Sequence, residues 1–326
     1  MQALSAYHTV FQNYLTENDF SYEPKELYEP VNYILGIGGK RLRPLLALMG
    51  CELFSKNINR ALPIAMAVEV FHNFTLLHDD IMDDAPLRRG KPTVHVKYNI
   101  NTGILSGDVM LILAYHFLQS TEGSVTMTHK LWAIFNKMAR EVCDGQQMDM
   151  NFESRNDVTL SEYIKMIELK TSVLIAAAFE MGAVAGGASL KQAAPLYEFG
   201  KNVGIAFQIQ DDLLDTFGDP ATFGKKVGGD IVQNKKTFLV LKTFELANSA
   251  QKTALTILMA TPTHDELAKI TAVRTIFEAL NVQQHAERAM DDYLQLAFAA
   301  LDETTLSGAK KTYLKEWANE LNMRRK

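Results

Sequence analysis

The chain has 326 residues, of which 47% are apolar, 22% charged and 9% aromatic, with a formal net charge of -5. An apolar fraction of this size supports a large buried core and excludes intrinsic disorder as an overall description, while the acidic balance argues against bulk nucleic-acid binding. Cys51 and Cys143 lie far apart and outside any CxxC pair, which speaks against a disulfide framework or a zinc site and reads as buried thiols in a reducing compartment.

In chain order, Leu4, Tyr7, Phe11, Tyr14 and Leu15 follow helical spacing, and the N-terminus lacks the basic and apolar regions of a secretory signal. Gly38-Gly39-Lys40-Arg41-Leu42-Arg43-Pro44 then sets three cations in four residues at a loop-to-helix junction. An apolar helix runs into His78-Asp79-Asp80-Ile81-Met82-Asp83-Asp84 and is stopped by Pro86, with Arg88-Arg89-Gly90 immediately beyond. Thr159 with Glu162, Ser189 with Gln192 and Thr263 with Glu266 form capping boxes at expected helix starts. The stretch from Thr171 to Leu190 is the most membrane-like, but Glu180 and Gly186-Gly187 make it a buried core helix rather than a span. A second acidic run, Asp211-Asp212-Leu213-Leu214-Asp215, ends before Gly218. No sustained period-2 alternation marks a strand and no Pro/Ser/Gly-rich linker divides the chain. The expectation is an all-α protein of ten or more helices, with residues 1–326 in a single large helical domain, and a cytoplasmic location.

The two acidic runs share a DDxxD core. Asp occupies roughly one position in twenty, so three fixed positions give only ~0.05 chance matches over this length, and two matches are far rarer. Asp79 and Asp83, like Asp211 and Asp215, are i,i+4 neighbours whose charges repel on a helix. Both runs also sit toward helix C-termini, where the macrodipole disfavours anions. A single run reads as a solvated acidic helix end. Two runs that break the same two local rules point to a compensating cation. All-carboxylate ligands suit Mg²⁺, which commonly takes one or two carboxylates, waters and substrate phosphate oxygens. The cations at Lys40, Arg43, Arg88 and Arg89 are the usual partners of phosphate, so a diphosphate substrate is expected.

The motifs GGKRLRP, HDDIMDDAPLRRGKPTVH, GQQMD, the Lys170-Thr171 pair and FQIQDDLLDTFGD followed by GKKVGGDIVQNKKT resemble, in content and order, the trans-type isoprenyl diphosphate synthases. The resemblance covers roughly Gly38 to Thr237. It implies an all-α helical bundle of the isoprenoid (terpenoid) synthase type with a central cavity, and a homodimer. Residue by residue, Asp79 and Asp83 match the Mg²⁺ ligands of the first aspartate-rich motif, with Asp80 beside them. Asp211 matches the principal ligand of the second motif, which Asp212 and Asp215 complete. Three Mg²⁺ are implied, two at the first cluster and one at the second. Lys40, Arg43, His72 and Arg89 match positions that bind isopentenyl diphosphate. Arg88, Lys170, Thr171, Gln208, Lys225 and Lys235 match those around the allylic diphosphate (dimethylallyl, geranyl or farnesyl), and Gln146 and Asp149 match a further polar pair. The basic Arg324-Arg325-Lys326 resembles a tail that closes over the homoallylic site. No nucleic acid partner and no transmembrane segment are implied.

The implied reaction is head-to-tail prenyl transfer, with the Lys170 and Thr171 carbonyls and the Gln208 amide oxygen supporting an allylic cation. Phe74, Thr75 and Phe71, five, four and eight residues before Asp79, point down the helix as a floor that limits product length. That pattern resembles geranylgeranyl synthases more than farnesyl synthases and implies a C15–C20 product; both phenylalanines as plain core residues is the open alternative. His72 likewise reads either as a ligand or as a satisfied core histidine. Longer-chain synthases, class I terpene cyclases and non-catalytic regulatory subunits are the competing readings. The cyclases carry a different second motif and the regulatory subunits lose a cluster.

Overall fold

The computed structural model describes residues 1–218, 227–260 and 265–322. Among these residues the elements are helices apart from one two-stranded hairpin. The chain divides into two compact units, Met1–Asn136 with Ala177–Tyr197, and Lys137–Ala176 with Glu198–Lys326.

The first unit contains α1 (Leu4–Glu17), α2 (Lys25–Gly36), α3 (Leu42–Glu52), α4 (Leu62–Met82), α5 (Val94–Lys97), α6 (Ile100–Gln119) and the start of α7 (Val125–Ser154). Helix α4 is entered through Pro63 in its first turn, where the missing N–H costs nothing. Ile64, Met66, Val68, Val70 and Phe71 are buried in succession around it, because α1, α2, α3 and α6 all pack on this helix. A helix enclosed on every side reads as a continuous apolar run rather than a stripe. Glycines let α3 meet α9 (Val173–Ala185) backbone to backbone: a Cβ on Gly182 would lie 2.0 Å from the Ala47 carbonyl oxygen, and one on Gly50 would lie 2.4 Å from that of Phe179. After α4, Leu87–Arg88 and Lys91–Pro92 pair as an antiparallel hairpin. Its turn residues Arg89 and Gly90 both have positive φ, 52° and 75°, which defines a type I′ turn.

The second unit takes the rest of α7, α8 (Leu160–Ile167), a π-helical turn at Glu168–Ser172, the C-terminal part of α10 (Leu190–Phe217), α11 (Gly229–Val232), α12 (Phe238–Leu246), α13 (Ser249–Ala260), α14 (Glu266–Ala279), α15 (Val282–Asp302) and α16 (Gly308–Asn322). Its core gathers Ile205, Ile209 and Leu213 of α10 with Phe152, Tyr163, Leu239 and Phe277.

The capping boxes at Thr159/Glu162 and Ser189/Gln192 are formed, each by reciprocal side-chain and backbone hydrogen bonds. Thr263 lies outside the described residues. The cap of α14 is Asp265, which accepts from the Ala268 N–H at 2.9 Å. The stretch from 171 to 190 contains the enclosed helix α9. Among the described residues it is α6 that is long and apolar enough, by length and composition, to cross a membrane.

Candidate active site

In the first unit the site is built at the C-terminal end of α4. Asp79 and Asp80 occupy its last turn and Asp83 is its C-cap, with the Asp83 N–H donating to the Asp79 carbonyl at 2.9 Å. Asp79 is partly exposed and Asp83 exposed. Asp80 is buried, and both its oxygens are held by Arg88, which donates from Nε and Nη2 at 2.7 Å each. The type I′ hairpin aims Arg88 back at the helix and turns Arg89 toward the glycine loop. A Cβ on Gly39, whose φ is +134°, would lie 2.5 Å from the Arg89 guanidinium. One turn and more before the aspartates, Arg43 Nη1 donates to His72 Nε2 at 3.2 Å. Arginine has no acceptor, so this imidazole is neutral with its proton on Nδ1. Burial pushes the His72 pKa well below the ordinary histidine value, and Arg43, Arg89, Arg88 and Arg41 push it the same way. Arg43, His72, Arg88 and Arg89 are thus grouped along the C-terminal half of α4, and Lys40 follows Gly39 in the loop that meets Arg89. Arg41, between the two expected phosphate ligands, turns inward instead and pairs with buried Glu69.

Beneath Asp79 lies a series of aromatic rings. His78 meets Phe74 edge-on at 4.9 Å, Phe74 meets Phe71 at 5.5 Å, Phe71 meets Phe135 at 5.4 Å and Phe135 meets Tyr115 at 5.0 Å. Thr75 is partly buried, with its hydroxyl on the His72 carbonyl at 2.8 Å.

In the second unit, Asp211, Asp212 and Asp215 lie on the last two turns of α10. Asp212 is buried and accepts from the Tyr163 hydroxyl, the Phe238 N–H at 2.9 Å and the Gln208 amide at 3.5 Å. Burial, and then the nearby Asp230 charge, push its pKa up to about 7 against the opposing pull of these donors. Asp215 accepts from the Asp230 N–H at 3.0 Å, and Asp230 in turn lies 3.6 Å from Lys235 Nζ. Gln208 Oε1 accepts from the Thr171 hydroxyl at 3.4 Å, while Lys170 pairs with Asp149 at 2.6 Å. Gln146 is partly buried one turn before Asp149 on α7. Lys170 and Thr171 ride on the π turn, where the Val173 N–H reaches back to the Glu168 carbonyl. Lys225 and Arg324-Arg325-Lys326 lie outside the described residues.

The donor set fits magnesium. Asp79 and Asp83 are accessible carboxylates one helical turn apart, offering hard oxygen ligands only, and Mg²⁺ uses few protein carboxylates and completes its shell with water and substrate oxygens. Among the described residues no three His, Cys, Asp or Glu side chains converge into a closed metal cage. Asp80 and Asp212, expected among the ligands, are buried and engage Arg88 and Tyr163. Tyr163, Asp230, Glu69, Phe135 and Tyr115 were not read from the sequence. Only Glu69 carries a signal there, as a lone acid within the apolar run of α4.

A model of the polyprenyl synthetase family matches residues 24–276. A geranylgeranyl diphosphate synthase of Methanosarcina mazei is 45% identical over 222 residues, 68% of each chain. A short chain isoprenyl diphosphate synthase of Methanothermobacter thermautotrophicus is 35% identical over 311 residues, covering 95% of this chain and 94% of its own. A crystal structure of a geranylgeranyl pyrophosphate synthase superposes with a TM-score of 0.95 at 45% identity over 100% of both chains. With the motifs, the all-α fold and these relatives in agreement, the chain belongs to the polyprenyl synthetase family and is a prenyltransferase.

Proposed function

We propose that the chain condenses isopentenyl diphosphate head to tail with an allylic diphosphate to give a C15–C20 product, geranylgeranyl diphosphate in preference. The observation that carries this reading is the pair of DDxxD runs at the ends of α4 and α10, each accompanied by basic side chains. Asp79 and Asp83 would hold two Mg²⁺ and Asp211 a third. When bound, Mg²⁺ neutralises charge on the allylic diphosphate as its C–O bond weakens.

The chain's own residues do the rest. Arg88, fixed by Asp80, and Lys170 and Lys235, each beside a carboxylate, present cations to the departing pyrophosphate. The C–O bond breaks with its electron pair on oxygen. The π electrons of isopentenyl diphosphate then form the new C–C bond, and the proton lost from C2 passes to pyrophosphate. The Thr171 and Lys170 carbonyls and the Gln208 amide oxygen offer negative dipole ends to the intervening cation. Lys40, Arg43, Arg89 and neutral His72 bind the isopentenyl diphosphate, and Gln146 and Asp149 line the cavity. Phe74 and Phe71, backed by Phe135 and Tyr115, form the floor that stops elongation by steric exclusion.

Two further readings belong with this one. The chain works as a homodimer, supported by the exposed apolar residues of α6, and it works in a reducing cytoplasm, supported by its two free cysteines, of which Cys51 is buried and Cys143, expected to be buried, is exposed. Purified protein incubated with Mg²⁺, isopentenyl diphosphate and each allylic primer should yield geranylgeranyl diphosphate as the main product on chromatography. Absence of product from every primer would overturn the assignment.

A further inference from the structure

We infer that the buried Arg41–Glu69 pair is the device that positions the isopentenyl diphosphate ligands. The inference rests on the substrate reading above and assigns two residues that this reading leaves without a role. Arg41 lies between Lys40 and Arg43 in the glycine-rich basic loop, yet it is only 6% exposed and Glu69 only 3%. Its guanidinium donates to Glu69 Oε1 in the middle of α4 and to the Leu35 carbonyl in the last turn of α2. The same Glu69 oxygen accepts from Asn73 Nδ2 at 2.9 Å, and the Asn73 amide also donates to the Glu69 carbonyl at 2.8 Å. One side chain therefore joins the end of α2, the loop and the helix that carries His72 and Asp79.

The arrangement is costly in two ways. Arg41 holds a left-handed backbone, φ 48° and ψ 33°, that side-chain-bearing residues adopt only under strain. A buried ion pair is also a poor source of stability, since well-packed apolar residues of like volume commonly do as well. Strain of this kind persists where the surroundings over-determine a conformation, and it gathers at functional sites. What the left-handed residue sets here is the direction of its neighbours. On one side Gly39 lies against the Arg89 guanidinium; on the other Arg43 reaches His72 at 3.2 Å. Tying Arg41 to Glu69, three residues before His72, fixes the loop in register with that histidine. Arg41 and Glu69 are thus positioning residues that act through Lys40, Arg43, Arg89 and His72.

The double variant Arg41→Met/Glu69→Met separates positioning from simple stapling of the fold, because it removes both charges together and leaves neither one unpaired. Two quantities are read beside Tm: the Kd of isopentenyl diphosphate by calorimetry without an allylic partner, where no turnover occurs, and the steady-state constants. The expected result is a Tm within a few degrees of wild type, a Kd and a KM for isopentenyl diphosphate raised about tenfold or more, and a kcat and allylic KM within about twofold. An unchanged Kd, or equal losses for both substrates, overturns the proposal. If the double variant does not fold, Arg41→Lys carries the test. It keeps the charge but, as a point charge, cannot hold Glu69 and the Leu35 carbonyl in one fork; a retained Tm with an unchanged Kd again overturns the proposal. Wild-type protein that binds no isopentenyl diphosphate would instead overturn the substrate assignment, so the two failures are distinguishable.

Discussion

His72 is surrounded by cations, with Arg43 donating to its Nε2 and the charges of Arg89, Arg88 and Arg41 nearby. Burial and these charges hold its folded pKa well below the 6.5 of an exposed imidazole, so between those two values the unfolded chain binds a proton that the folded chain does not. By linkage, the stability present above pH 6.5 is lost as pH falls from that value toward the folded pKa. One such proton is worth at most about 1.4 kcal/mol per pH unit. Tm should therefore fall on acidification below pH 6.5, and less steeply in His72→Gln, whose amide oxygen still accepts from Arg43; identical slopes in the two proteins would exclude His72 as the cause. Phe71 and Phe74 are the other residues with a separable role. Their rings meet at 5.5 Å, and the Phe71 ring is backed by Phe135 at 5.4 Å. Truncating both to Ala should shift the product distribution beyond C20, read by chromatography of the dephosphorylated alcohols, at some cost in Tm from the lost ring contacts. An unchanged distribution would make the two rings plain core.

At the level of elements, the π turn at Glu168–Ser172 carries Lys170 and Thr171, and α7 comes very close to it at Gly145. A Cβ on Gly145 would lie 2.3 Å from the Lys170 nitrogen and 2.7 Å from the Leu169 carbonyl carbon, contacts that only a backbone shift relieves. Gly145→Ala should lower stability by about 1–3 kcal/mol and reduce kcat as Lys170 and Thr171 move, with Tm and kcat both at wild-type values as the contrary outcome. None of this was visible in the sequence, since a π register has no composition of its own and Gly145 inside a helical run reads only as a tolerated weakness. The aspartate clusters were visible because like charges at i,i+4 near a helix C-terminus break two local rules at once. Which of their carboxylates are buried and which exposed was not. Whether Asp80 faces Arg88 depends on the type I′ hairpin, whose short strands Leu87–Arg88 and Lys91–Pro92 carry no alternation and whose αL turn position is filled by Arg89 rather than Asn or Asp. The run Lys40-Arg41-Leu42-Arg43 likewise announces cations without saying which one turns inward. That is decided by Glu69 on another helix.

At the level of the whole molecule, the question is what covers α6. By length and composition this helix is apolar enough to cross a bilayer, yet only 39% of its most apolar window is buried. Ile104, Leu105 and Ile112 stand 44%, 58% and 66% exposed on it, and Val125 and Trp132 of α7 stand 73% and 37% exposed in the same unit. Its opposite side is committed: the Ile104 carbonyl accepts from His78 Nε2 at 3.1 Å, and a Cβ on Gly107 would lie 2.1 Å from that same nitrogen. A helix of 20 residues is about 30 Å long, enough to form the centre of a standard interface of about 1,600 Å² when paired with its own copy. A two-fold contact of this kind would bury each exposed residue twice, and it would press on the helix that holds His78 beside Asp79, so loss of the dimer should reach the first aspartate cluster. Light scattering of the purified protein at micromolar concentration should give twice the 36.5 kDa chain mass. Leu105→Asp/Ile112→Asp should halve that mass while keeping helical circular dichroism, and should lower kcat through His78 and Asp79. A wild-type protein that scatters as a monomer, or a double variant that stays dimeric, would remove α6 from the interface.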